Sequence, residues 1–129
     1  MKQAQYDVVV VGAGNAALCA ALSAQENGAK VLVLEKSPES ERGGNSAFAG
    51  AYMRFVYNGA EDIISLAGDL SPEEIAISDF GTYTEEQFFD DMARITQNRT
   101  DPDLCEILVK NSNATVRWMK ENGVGFTPT

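Results

Sequence analysis

Six residues near the amino terminus carry the most chemistry in this 129-residue chain: Gly12-Ala13-Gly14-Asn15-Ala16-Ala17, a G-x-G-x-x-A pattern. A glycine at position 12 permits a tight bend from a strand into a helix. At Gly14 the missing Cβ lets a pyrophosphate come close to the backbone, and Ala17 still allows close helix–strand packing. The free N–H groups and the positive end of the helix dipole then face the phosphates. Glu35 lies 23 residues after Gly12. There a carboxylate can accept hydrogen bonds from both hydroxyls of an adenosine ribose, and it would repel a 2′-phosphate, which disfavours NADP. On these residues alone the ligand is a dinucleotide, either FAD or NAD. The plainer alternatives are glycines that serve only the turn, Glu35 as a solvated strand end and Lys36 as a surface lysine rather than an adenosine contact.

The elements needed to position these groups occur in the required order. Tyr6-Asp7-Val8-Val9-Val10-Val11 is a β-branched run bounded by Gly12, so it predicts a strand buried on both faces, as in a parallel sheet. A helix is expected from about Asn15 to Asn27, with Ala17, Ala20, Ala21 and Ala24 at helical spacing and Gly28 as its terminal glycine. Lys30-Val31-Leu32-Val33-Leu34 predicts a second buried strand, which completes a β-α-β unit with parallel strands.

Composition excludes several other functions. Ten Lys+Arg against nineteen Asp+Glu leave a net charge of −9, which argues against a nucleic-acid binder and against a polybasic membrane-surface module. The absence of histidine removes the usual neutral-pH acid–base residue and excludes Ser-His or Cys-His catalysis within the chain. The charge is uneven. Residues 1–60 balance five basic groups with five acidic ones, and the whole excess of acid falls in 61–129. The expected division is therefore 1–60, part of a nucleotide-binding domain, and 61–129, an incomplete acidic segment. Cys19 and Cys105 make no disulfide framework, and Cys19, in an alanine-rich run, is expected to be a small core residue. No signal peptide or membrane-length apolar run is visible, so Asn98-Arg99-Thr100 and Asn113-Ala114-Thr115 are taken as chance glycosylation patterns. The expected location is the cytoplasm.

A second polar loop, Arg42-Gly43-Gly44-Asn45-Ser46, follows about thirty residues after the first. Its backbone amides and the side chains of Asn45 and Ser46 suit a second part of a long extended ligand. An ordinary polar turn before a helix, capped by Ser46, is the equal alternative.

Asp7 through Gly14, then Glu35-Lys36 and Gly43-Gly44-Asn45-Ser46, resemble the amino terminus of the fumarate reductase/succinate dehydrogenase flavoprotein superfamily. Further along, Arg54-Phe55-Val56-Tyr57-Asn58-Gly59, Ser78 through Phe88, and Arg99 through Leu104 are similar to FAD-dependent tricarballylate dehydrogenases. Precorrin-3B synthase-like flavoproteins share some of these matches. The resemblance implies FAD as cofactor and an α/β fold: a partial Rossmann-like FAD-binding βαβ unit followed by a mainly helical segment. It places Gly12, Ala13, Gly14, Asn15 and Ala17 at the pyrophosphate, Glu35 and Lys36 at the adenosine ribose, and Gly44, Asn45 and Ser46 near the pyrophosphate and flavin. It implies oxidation of a small polycarboxylate, of the tricarballylate type, by hydride transfer to FAD, with fumarate-type reduction as an alternative. It leaves room for an electron-acceptor protein as partner. A nucleotide-binding module without catalysis is the alternative of another class, and no nucleic acid, metal or membrane insertion is expected.

The remainder is expected to be helical. Ser71-Pro72-Glu73-Glu74 and Thr84-Glu85-Glu86-Gln87 are capping boxes. After the second, Phe88, Phe89, Met92 and Ile95 are expected on a buried side, with Asp90, Asp91 and Arg94 toward solvent. Asp101-Pro102 starts another helix whose apolar face is expected to hold Leu104, Ile107, Leu108, Thr115, Trp118 and Met119, and Gly123 ends it. The acidic pairs Glu73-Glu74, Glu85-Glu86 and Asp90-Asp91 are read as solvated helix faces rather than a metal site. Arg54 is open between an anionic substrate and a surface ion pair. No catalytic residue can be assigned, and two strands are too few for a dinucleotide-binding sheet, so an amino-terminal fragment is expected.

In succinate dehydrogenases a histidine bonds covalently to the flavin, and the position here that resembles it is Asn45. The flavin is therefore expected to be non-covalent. Acid denaturation of the flavin-loaded protein should release all of it to the supernatant, and flavin remaining with the precipitate would contradict this.

Overall fold

The computed structural model describes residues 5–68 and 70–128. The chain forms two compact units, Met1–Met53 and Arg54–Thr129. Each has its own logic.

In the first unit, strand β1 (Val8–Val11), helix α1 (Asn15–Glu26) and strand β2 (Val31–Leu34) follow one another. The strands pair in parallel, Val8 beside Val31 through Val11 beside Leu34. The ladder is extended at both ends. Asp7 N–H donates to the Lys30 carbonyl at 2.8 Å and Lys30 N–H to Asp7 Oδ2 at 2.8 Å, while Gly12 N–H donates to the Leu34 carbonyl at 2.6 Å. Helix α1 packs against both strands, and its alanines allow the approach, with Ala21 buried and Ala17 and Ala24 half-buried. Short 3-10 turns, Glu39–Glu41 and Gly44–Phe48, follow β2.

The expectation of strands buried on both faces does not hold in this chain. Val8 and Val10 are half-buried, but Val9 is 54% and Val11 82% exposed, and Val33 and Leu34 are also exposed. The cause is the number of layers. Among the described residues of this unit one α-helix covers the pair of strands, so the alternation along β1 shows one face covered and one open.

The second unit is helical: α2 (Ala60–Ala67), α3 (Pro72–Ile77), α4 (Glu85–Thr96) and α5 (Pro102–Glu121). Both expected capping boxes form. Ser71 Oγ accepts from Glu74 N–H while Glu74 accepts from Ser71 N–H, and Thr84 and Gln87 do the same for α4. Asp101 caps α5 by accepting from the N–H groups of Asp103 and Leu104 at 3.0 Å. Helix α2 falls in the stretch expected to be helical but had no capping cue, because its N-cap, Gly59, offers no capping side chain.

The core joins Phe88, Cys105 and Val109, with Val56, Tyr83, Phe89 and Met92 packed around them. This corrects the expected faces. Cys105, Val109, Ser112, Val116 and Met119 are the buried residues of α5, whereas Leu104, Ile107 and Leu108 are exposed and Trp118 is half-buried. Two apolar stripes run along α5; Met119 is buried as expected, and Phe88 of α4 packs with Cys105 and Val109 of the second stripe. Ile95 of α4 is likewise exposed. Asp91, expected in solvent, is half-buried among hydrogen-bond donors.

An extended segment is fastened to α5 by two adjacent polar side chains. Ser112, buried, accepts from Val56 N–H at 2.9 Å and donates to the Val109 carbonyl at 2.8 Å, and Asn113 Nδ2 donates to the Val56 carbonyl at 2.8 Å. The next residue, Tyr57, bridges to Tyr83 through backbone bonds of 3.0 and 2.9 Å.

The face assignment is open to a direct check. Val109→Ala should cost about 1–3 kcal/mol in denaturant unfolding, through lost burial and a residual cavity. Ile107→Ala, on the exposed stripe, should stay within about 0.5 kcal/mol.

Candidate cofactor site

The turn that joins β1 to α1 is built as its residue types require. Gly12 has φ +102, with no atom near where a Cβ would sit. The backbone conformation, not crowding, is what demands glycine there. Gly14 is the opposite case. It is the N-cap of α1 with φ −76 and ψ 175, which any residue adopts. A Cβ on it would project into the gap between the turn and the second loop, 3.5 Å from the Gly43 carbonyl oxygen and 3.6 Å from Ser46 Oγ. The absence of that carbon keeps the gap clear.

The structure brings Glu35 and Ser46 to this turn. Glu35 Oε2 accepts from Ala13 N–H at 2.8 Å and Oε1 from Ser37 N–H at 2.8 Å. The Ser37 and Ala13 N–H groups hold its carboxyl below the usual range, so it is ionised at neutral pH. Ser46 Oγ accepts from Asn15 N–H at 3.0 Å. Ser46 does not act as the local cap of its own turn. It lies inside the 3-10 turn Gly44–Phe48, which Gly43 precedes with no side-chain cap bond. The bond between Ser46 and Asn15 spans 31 residues, and no local spacing rule reveals it.

The other candidates are less engaged. Lys36, Gly44 and Asn45 are exposed. Cys19, expected in the core, is half-buried one helical turn along from Asn15, its Sγ 3.9 Å from Asn15 Oδ1.

Arg54 belongs to the second unit, where its guanidinium is already paired. It donates to the Tyr83 hydroxyl at 3.2 Å and to the Asp91 carboxylate, and it lies over the Tyr83 ring. Asp91 also accepts from Tyr83 at 2.9 Å and from Arg94 at 2.6 Å. Arg94 first, then Tyr83, holds the Asp91 carboxyl below its usual value. Burial pushes the Tyr83 hydroxyl up, and the Tyr83 hydroxyl and Asp91 push Arg54 up. The ion pair is the reading of Arg54 that the structure supports.

A strand–turn–helix–strand unit with an exposed helix N-terminus, a carboxylate at the end of its second strand and a second glycine loop across the turn defines a dinucleotide-binding module. Comparison with known proteins gives the family. A profile of the FAD binding domain matches residues 7–129, and the chain belongs to that family, with FAD as its cofactor. It is 36% identical over 120 residues to digoxin reductase of Eggerthella lenta, covering 92% of this chain and 19% of that protein. It is 33% identical over 121 residues to fumarate reductase (cytochrome) of Shewanella frigidimarina, covering 94% and 18%. It is 32% identical over 119 residues to NADH:fumarate oxidoreductase of Klebsiella pneumoniae, covering 92% and 11%. The chain thus spans about a fifth or less of the length of these curated relatives.

The geometry fits this cofactor. The first turn of α1 holds no acidic side chain that would repel a phosphate. The Glu35 carboxylate, which accepts from the Ala13 and Ser37 N–H groups, is exposed to solvent beside the turn.

Two alanine changes separate the roles of the glycines. Gly12→Ala should destabilise the first unit by about 1–3 kcal/mol through backbone strain. Gly14→Ala should leave stability within about 0.5 kcal/mol, since its backbone is unstrained and its contacts ordinary, yet weaken FAD binding at least ~10-fold by obstructing the phosphates. Thermal melts with flavin titration of both variants test the split.

Proposed function

We propose that this chain forms the FAD-binding portion of an oxidoreductase that transfers a hydride between non-covalent FAD and a small polycarboxylate. The observation that carries the reading is the convergence in one unit of the Gly12–Ala17 turn, the Glu35 carboxylate and the 43–46 loop, tied to one another by hydrogen bonds. In this reading Gly12, Ala13, Gly14, Asn15 and Ala17 surround the pyrophosphate. Glu35 and Lys36 face the adenosine ribose, and Gly44, Asn45 and Ser46 lie near the pyrophosphate and flavin. The bound flavin supplies a two-electron acceptor, while the residues of this chain bind it, orient it and neutralise its phosphates. The groups that would clamp substrate carboxylates and move its proton are not assigned to residues of this chain.

Oxidation of tricarballylate to cis-aconitate is the first substrate reading, supported by the segments Arg54–Gly59, Ser78–Phe88 and Arg99–Leu104. Reduction of a fumarate-type substrate is the second, favoured by the names of the Shewanella and Klebsiella relatives. Both substrates are small polycarboxylates, and they differ in the direction of the hydride.

The test is a substrate panel on the protein expressed from the complete reading frame. Tricarballylate should reduce an acceptor dye, whereas fumarate oxidising a reduced viologen would favour the second reading. A flavin-loaded protein that turns over neither acid overturns the polycarboxylate reading. A protein that takes up no flavin overturns the flavoprotein reading itself.

A further inference from the structure

Helices α1 and α2 start on glycines with no side-chain cap, unlike α3, α4 and α5. Ser71 caps α3, Thr84 caps α4 and Asp101 caps α5, each from the position directly before its helix. The N-cap of α1 is Gly14, which has no side chain. Its first N–H groups must find partners elsewhere or face outward.

Five N–H groups line the turn, from Ala13 to Ala17, and they fall into two sets. Ala13 N–H is taken by Glu35 and Asn15 N–H by Ser46. Among the described residues, the N–H groups of Gly14, Ala16 and Ala17 have no protein partner. The two partners come from outside the turn, Glu35 from the end of β2 and Ser46 from the second loop. The bonds bracket Gly14 on either side.

We infer that Glu35 and Ser46 are positioning residues that brace this turn before the cofactor binds and divide its N–H groups between protein and pyrophosphate. Ala13 and Asn15 hold the brace, and Gly14, Ala16 and Ala17 are the donors for the anion. This narrows the pyrophosphate contacts proposed above, and it rests on the placement of FAD at this turn.

The chemistry of the two side chains suits the task. A hydroxyl accepts and donates at once. Ser46 therefore caps α1 with its oxygen and keeps its proton for a phosphate oxygen, which can only accept. Glu35, although it accepts from Ala13 and Ser37, is exposed and free to meet a ribose hydroxyl. A turn held in this way binds without the ordering cost that a loose glycine loop would carry.

Amide hydrogen exchange by NMR on the full 129-residue chain tests the brace without any ligand. Corrected for intrinsic rates, Ala13 and Asn15 should exchange at least ~10-fold more slowly than Gly14, Ala16 and Ala17. Ser46→Ala should release Asn15 while Ala13 stays protected, and Glu35→Ala should do the reverse. Ser46→Thr, which keeps the hydroxyl, should retain both. A variant that loses both protections has lost the unit. If Ser46→Thr then fails to restore them, the role of the hydroxyl is overturned. Equal exchange at all five amides in the unaltered chain overturns the brace outright.

Addition of FAD to the protein expressed from the complete reading frame tests the division. The Gly14, Ala16 and Ala17 resonances should shift most. If Ala13 and Asn15 shift instead, the division is wrong. Should FAD move none of the five, the placement of cofactor at this turn falls and the division with it, while the exchange rates still decide the brace.

Discussion

Helix α1 starts on Gly14, which has no side chain to cap it, and the first unit is organised around that constraint. A Cβ at position 14 would sit 3.5 Å from the Gly43 carbonyl oxygen and 3.6 Å from Ser46 Oγ. The turn is stabilised from a distance instead, by a carboxylate at the end of β2 and a hydroxyl from the second loop. The parallel register sets where the first of these sits. Because Val11 pairs with Leu34, the residue after Leu34 emerges beside the residues after Val11, and Glu35 reaches Ala13. Sheet register thus decides the bond between Glu35 and the turn.

The second unit solves a different problem, that of an extended segment with no strand partner on one side. A helix has no free backbone groups along its length to offer it. Ser112 and Asn113 take the place of a neighbouring strand and satisfy both the N–H and the carbonyl of Val56. Tyr83 pairs with Tyr57 through its backbone and with Arg54 and Asp91 through its hydroxyl. Polar side chains inside this unit are therefore structural, which is also why Arg54 is held by its neighbours.

Legibility in the sequence followed the range of the interactions. The β-α-β unit, the G-x-G-x-x-A turn and the capped starts of α3, α4 and α5 were readable, since each depends on residues within a few positions of one another. The start of helix α2 escaped because Gly59 carries no capping group. The buried face of α5 was misjudged for a reason of pattern. Leu104, Ile107 and Leu108 form the bulkier apolar stripe, while Cys105, Val109, Ser112, Val116 and Met119 form a second one with a serine in it. Periodicity identifies stripes but does not say which a neighbouring helix will cover.

By itself the sequence determined the class of the first unit: a β-α-β FAD-binding unit with a glycine turn, a carboxylate after its second strand and a second glycine loop. These are set by covalent spacing and by what glycine, alanine and glutamate permit locally. Only the tertiary structure decided that the second loop closes on the first, that Ser46 caps α1 across 31 residues of separation, and that the strands keep one face open in this chain. Those outcomes depend on which distant segments meet, and a meeting of that kind leaves no periodic trace in the order of the residues.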